Sequence, residues 1–119
     1  MALSVMVVDD DDPFRGLAQR MMVGCGYRTE SEAANVTDAL LRATQRMPDV
    51  VLADMGLPDG DGLELTRRLT ALSPAVRVVL VSADSDAASQ DDARGAGALA
   101  FVPKSDLSCA VLHSLLDTE

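Results

Sequence analysis

Three carboxylates at the ends of two apolar runs are the groups in this chain best placed to do chemistry. Val5-Met6-Val7-Val8 leads directly into Asp9-Asp10, and Val50-Val51-Leu52-Ala53 leads directly into Asp54. Buried as two neighbouring strands, these runs would bring the acids together at one sheet edge. Like charges at such close range raise each other's proton affinity unless a cation neutralises them. A hard divalent ion with oxygen ligands is the natural partner, and Mg²⁺ is the expected one. Ser82 follows the run Val76–Val81, and Lys104 follows Ala100–Val102 and Pro103. In an open α/β sheet, ligands bind beyond the carboxyl ends of the strands, near the point where strand order reverses. Asp9, Asp10, Asp54, Ser82 and Lys104 are therefore expected at a single edge.

The elements that must position them alternate. Val5–Val8, Val50–Ala53 and Val76–Val81 are short and β-branched, as in strands covered on both faces. Tyr27–Glu32 and Ala100–Val102 are weaker strand candidates. Helical segments are expected at Pro13–Val23, Val36–Arg46, Leu63–Leu72, Asp86–Gly95 and Leu107–Leu116. Leu65, Leu69 and Leu72 recur at helical spacing, as do Leu107, Val111 and Leu115. Asp12 before Pro13 is an expected helix start, Ser105 is a candidate cap for the last helix, and Gly24 or Gly26 a candidate stop for the first. Five βα units imply an open parallel sheet wrapped by helices, joined by right-handed crossovers. The fourth helix offers little but alanine for burial, so it is expected to dock weakly and to be adjustable.

At 119 residues the chain reads as one domain, residues 1–119, able to hide roughly two-thirds of its unfolded surface. No apolar stretch approaches membrane-spanning length, and no basic leader suggests a signal peptide. A net charge of −9 argues against nucleic-acid binding by this domain's own surface, which would need clustered Lys and Arg. Cys25 and Cys109 lack CxxC spacing and are expected to be reduced, mostly buried thiols of a cytoplasmic protein. Of Asp11 and Asp12, one reads as a solvated acid and one, Asp12, as a capping acid, rather than as ligands. Asp59-Gly60-Asp61-Gly62 fails as a calcium loop, because the twelfth position from Asp59 is Thr70 rather than a carboxylate. A turn into the third helix is the better reading. His113, the single histidine, is read as a surface residue.

The ordered set Val7-Val8-Asp9-Asp10, Asp49-Val50-Val51-Leu52-Ala53-Asp54, Leu57-Pro58 with Asp61-Gly62, Leu80-Val81-Ser82-Ala83, Gly95-Ala96 and Phe101-Val102-Pro103-Lys104 resembles the receiver domain of two-component response regulators. The resemblance covers essentially the whole chain. It implies a five-stranded parallel sheet of flavodoxin-like order 2-1-3-4-5 with helices on both faces. It also implies that Asp54 takes a phosphoryl group from a histidine kinase, and that Asp10, Asp54 and the Gly56 carbonyl hold Mg²⁺, with Asp9 acting largely through metal-bound water. Lys104 and Ser82 would contact the phosphoryl oxygens. Ser82 and Phe101 would form the switch, and the fourth helix, fifth strand and fifth helix the output face, with dimerisation as one use of it. Such a domain is a phosphoacceptor and switch rather than an enzyme.

The segments Pro13-Phe14-Arg15 and Lys104-Ser105-Asp106-Leu107 resemble regulators with a C-terminal helix-turn-helix output, where any DNA binding would reside. The chain departs from the family pattern where Pro103 precedes Lys104 and Ser105 follows it. A cis peptide after Lys104 is therefore not expected. Two other functions compete: a degenerate receiver serving as an interaction module, and a Mg²⁺-dependent phosphatase with an aspartate nucleophile. The phosphatase would need a second acid two residues after Asp54, where Gly56 stands.

Overall fold

A computed structural model describes residues 2–117. One five-stranded parallel sheet is built from β1 (Ser4–Val8), β2 (Arg28–Ala33), β3 (Val50–Asp54), β6 (Arg77–Ser82) and β7 (Ala100–Pro103). A small antiparallel hairpin of β4 (Gly56–Leu57) and β5 (Gly60–Asp61) lies between β3 and the third helix. Strand order is β2-β1-β3-β6-β7. With the hairpin set aside, this is the flavodoxin-like 2-1-3-4-5 order, and its reversal falls between β1 and β3.

The strands are apolar on both faces because helices cover both. Val5, Val7, Val50, Leu52, Val79, Val81, Ala100 and Val102 face one layer, formed by α1 (Asp12–Gly24) and α5 (Cys109–Leu116). Met6, Val8, Val51, Ala53, Val78, Leu80 and Phe101 alternate onto the other face, under α2 (Val36–Gln45), α3 (Gly62–Leu72) and α4 (Gln90–Ala96). This is the period of two that a strand backbone imposes. Edge strand β2 alternates exposed and half-buried polar residues instead, and its charges discourage pairing with another chain.

Local chemistry moved several helix ends from their expected places. Asp11, not Asp12, caps α1 by accepting the Phe14 N–H, so Asp12 is the first helical residue and Pro13 the second. The chain leaves α1 through Gly26 at φ 100°, a left-handed turn that suits glycine. Helix α4 starts at Gln90 rather than Asp86. Ser82 Oγ accepts the Asp84 N–H, Asp84 accepts that of Asp86, and the Ser89–Asp92 capping box then sets the true start. Short Ser and Asp side chains offer the backbone local partners that compete with helix. Likewise a 3₁₀ turn over Lys104–Asp106 delays α5, which is capped by Ser108 and not by Ser105. No cis peptide occurs among the described residues.

The cysteine expectation fails. Cys25 and Cys109, 84 residues apart in sequence, are joined in a disulfide with Cα atoms 5.4 Å apart, and Cys109 is exposed. The cause is topological. The end of α1 and the start of α5 meet at one corner of the same layer, which residue spacing alone cannot reveal.

Candidate functional site

The strand ends deliver the acids as a consequence of register. Val8 pairs with Ala53 across β1 and β3, so Asp9 and Asp54 are the next residues at adjacent strand ends. Backbone bonds hold the emerging loops: the Asp9 N–H donates to the Ala33 carbonyl at 3.0 Å and the Met55 N–H to that of Val81 at 2.9 Å. The return into α3 is equally tight. A Cβ on Gly62 would lie 2.8 Å from the Asp54 carbonyl oxygen and 2.7 Å from Leu80 Cδ2, so only glycine lets α3 begin this close to β3.

Asp9 is 1% exposed and Asp54 9%. Lys104 Nζ lies 2.8 Å from Asp9 Oδ2 and 3.4 Å from Asp54 Oδ1, forming a three-charge cluster in which the lysine is half-buried. The buried Asp9 Oδ2 has this counter-charge but no aligned hydrogen-bond donor, while Asp9 Oδ1 accepts the Asp11 N–H at 2.9 Å. Burial, and after it the charge of Asp9, push the Asp54 carboxyl above its ordinary pKa against the pull of Lys104. Burial alone would lower the Lys104 pKa, but the two carboxylates outweigh it and hold the ammonium above its ordinary value. One carboxylate oxygen each from Asp9, Asp10 and Asp54 falls within a mutual 4.8 Å, with Asp10 exposed at the mouth. A buried carboxylate oxygen without an aligned hydrogen-bond donor, within an all-oxygen cluster, suits a hard divalent cation.

Gly56 follows at the exposed start of the hairpin, its N–H donating to Asp54 Oδ2 at 3.3 Å. Ser82 is buried at the end of β6, pairing in register with Pro103. Phe101 is 4% exposed, turned into the α4 layer. His113 lies away from the acids, with Nε2 2.8 Å from the Cys25 carbonyl oxygen.

Four supporting residues escaped the sequence reading. The Phe14 ring lies under Lys104 Nζ at 4.0 Å, adding a cation–π face to the ammonium's two carboxylates. Arg15 donates to the Asp9 carbonyl at 2.7 Å and bridges Asp12 and Glu32, bracing the acidic loop from behind. An aromatic and an arginine directly after an acid run were the available signal. Asp59, at the hairpin tip, accepts the Val36 and Thr37 N–H groups and the Thr37 hydroxyl. The Thr37 hydroxyl, followed by these backbone donors, lowers its pKa to about 2. Gln90 closes a two-bond ring on the backbone of Phe101, donating to its carbonyl at 2.6 Å and accepting its N–H at 3.0 Å. No sequence pattern pairs a glutamine with an edge strand eleven residues later.

Comparison with known proteins agrees with this fold. The family model described as response regulator receiver domain matches residues 5–115. The KDP operon transcriptional regulatory protein KdpE of Escherichia coli is 38% identical over 85% of this chain, and the chain spans only 44% of that regulator's length. A LuxR-family two-component response regulator from Aurantimonas superposes with a TM-score of 0.84 at 27% identity, covering 98% of this chain and 84% of that one. A response regulator from Burkholderia pseudomallei, solved with a phosphorylated aspartic acid, calcium ion and citrate, gives 0.81 at 26% identity over 95% of this chain and 66% of that one. No described helix is long and apolar enough to cross a membrane.

Proposed function

Because the chain belongs to the response regulator receiver domain family of two-component systems, we propose that residues 1–119 form a receiver that takes a phosphoryl group from a sensor histidine kinase onto Asp54. The observation that carries this reading is the buried Asp54 carboxylate, beside Asp9 and Asp10 and 3.4 Å from the Lys104 ammonium. A carboxylate oxygen of Asp54 attacks the phosphorus of the phosphohistidine. An O–P bond forms as the P–N bond breaks, and the electron pair stays on the imidazole nitrogen. Such transfer asks the protein mainly for positioning and charge neutralisation. Lys104 supplies a fixed cation to the phosphoryl oxygens, steadied by the Phe14 ring. Asp10 and Asp54 would hold Mg²⁺ directly with the Gly56 carbonyl, and Asp9 largely through water. When bound, the metal neutralises charge on the transferred group. The domain is a substrate and a switch rather than an enzyme, and its working compartment in this reading is the cytoplasm.

The output step begins at Ser82, whose hydroxyl accepts the Asp84 N–H at 3.0 Å. Drawn to the phosphoryl group, Ser82 opens space for the Phe101 ring and for α4, which buries only Ala93 and Ala96. The face formed by α4, β7 and α5 is the proposed signalling surface, with dimerisation as one use of it. The phosphoryl group moves this equilibrium only through its different affinity for the two arrangements.

Incubation with acetyl phosphate and Mg²⁺, read by intact mass, is expected to add one phosphoryl group. Asp54→Asn and chelation should each abolish the adduct. Labelling that persists in Asp54→Asn would overturn the assignment. Fluoroberyllate should alter hydrogen exchange over Asp86–Lys104 in the wild type and less so in Ser82→Ala. Equal changes in both would remove Ser82 from the switch.

A further inference from the structure

The corner where α1 meets α5 is built from four contacts unrelated to the acidic cluster. Cys25, the C-cap of α1, is bonded through sulfur to Cys109, the first residue of α5. The Cys25 carbonyl can only accept, so His113 of α5 donates to it through Nε2 at 2.8 Å. The His113 ring meets Tyr27 edge-on, with centroids 5.8 Å apart. The Tyr27 hydroxyl donates to Asp117 Oδ1 at 3.0 Å, just past the end of α5. Every residue α5 uses here lies on one line from its first turn to its cap, and every partner lies within Cys25–Tyr27. The two residues differ in access: Cys25 is buried at 9% exposure, whereas Cys109 is exposed.

We infer that Cys25–Cys109 is a thiol–disulfide exchange site, attacked on the side of the exposed residue Cys109 by a dithiol reductant, whose oxidation state sets how firmly α5 is docked. Attack by one thiolate of the reductant forms a mixed disulfide with Cys109. The Cys25–Cys109 bond breaks, and Cys25 leaves as a thiolate that takes up a proton. The reductant's second thiol then displaces Cys109 as a thiol, and the reductant leaves as a disulfide. Two electrons pass to the protein, and an oxidised dithiol partner reverses the sequence.

Attack at Cys109 follows from access, because exchange needs the nucleophile in line with the sulfur bond. A reducing compartment would keep ordinary thiols reduced. A disulfide with one exposed half-cystine there is open to change, whereas a fully buried one is shielded. After reduction, α5 keeps Leu112 and Leu116 in the core but loses the covalent tie at its first turn. The corner's hydrogen bonds then depend on α5 finding the same place unaided. The consequence for signalling, a second input on the face that includes α5, rests on the proposed function; the exchange site does not.

The test uses the unphosphorylated full chain. Under non-reducing conditions the air-oxidised protein should be lighter by two hydrogen atoms than after dithiothreitol. Exposure to glutathione with rapid acid quenching should place the mixed disulfide on Cys109. Hydrogen exchange across Cys109–Leu116 should quicken about tenfold or more on reduction, as for loss of a restraint on α5. Cys109→Ser should show the fast α5 exchange with or without reductant. Two free thiols after air oxidation, glutathione on Cys25, or identical α5 exchange in both redox states would each overturn the inference. Asp54 labelling plays no part in these readouts, so failure here leaves the phosphoacceptor reading untouched, and the converse holds.

Discussion

Helices α4 and α5 flank the same edge strand, β7, yet are anchored by opposite means. Helix α5 buries Leu112 and Leu116, is bonded to α1 through Cys109, and donates His113 into the same corner. Arg77 of β6 donates to the Leu116 carbonyl at its far end. Helix α4 is seven residues long, buries only two alanines, and is held at its start by the Ser89–Asp92 capping box and the Gln90 ring on Phe101. Apolar burial scales with area, so two methyl groups hold far less than two leucines. The contrast teaches where motion is cheap: α4 can shift by exchanging a few hydrogen bonds, whereas α5 must lose covalent or core contacts.

The largest effect belongs to α5. Cys109→Ser is expected to lower global stability by up to about 4 kcal/mol, since the bond closes a loop of 84 residues. Urea denaturation with and without reductant measures it, and a loss below that of a single hydrogen bond would equalise the two helices. Next, Leu112→Ala should cost about 3 kcal/mol by leaving a cavity at a fully buried position.

On the α4 side, Gln90→Ala should cost only about 1–2 kcal/mol for two hydrogen bonds to the Phe101 backbone. Its signature is local: faster exchange over Gln90–Ala96 with little change in α5. A global loss as large as that of Cys109→Ser would show that α4 is not the weakly held element.

The smallest effect is a pH dependence at the α5 corner. Burial, and then the Asp117 hydrogen bond, raise the Tyr27 pKa to about 12. A folded pKa above the unfolded value of about 10 means the neutral phenol is favoured by folding. Its contribution is fully present below about pH 10 and is lost as pH rises towards 12. Tyr27 is the single tyrosine and there is no tryptophan, so ultraviolet titration reads it directly. Tyr27→Phe should remove that alkaline dependence at a cost of about 1 kcal/mol near neutrality. An ordinary midpoint in the wild type would show that α5 is looser than its contacts imply.

Much of this was legible in the residues because strands and their ends are local. A β-branched apolar run that stops at an acid identifies both a buried strand and the carboxylate at its end. Alternation of such runs with helical patterns then implies the parallel sheet. Asp9, Asp10, Asp54, Ser82 and Lys104 could be assigned to one edge because the side of the sheet at which a strand ends follows from chain direction. The lack of large apolar residues in α4 was equally local, being written in its alanines. Its start was misplaced because Ser82, Asp84 and Ser89 bond the backbone in a non-helical path that propensity does not resolve.

Only the tertiary structure decided the contacts between elements far apart in the chain. The Cys25–Cys109 bond, the Tyr27–Asp117 hydrogen bond and the Gln90 ring on Phe101 depend on helix lengths, docking angles and cap positions, none of which spacing encodes. The Phe14 ring under Lys104 is of the same kind. The sequence alone determined which groups end up at the site edge, because period and direction are properties of a single strand. How those groups are charged, braced and tied to α5 required the packed layers, because burial and counter-charge arise only when separate elements share one space.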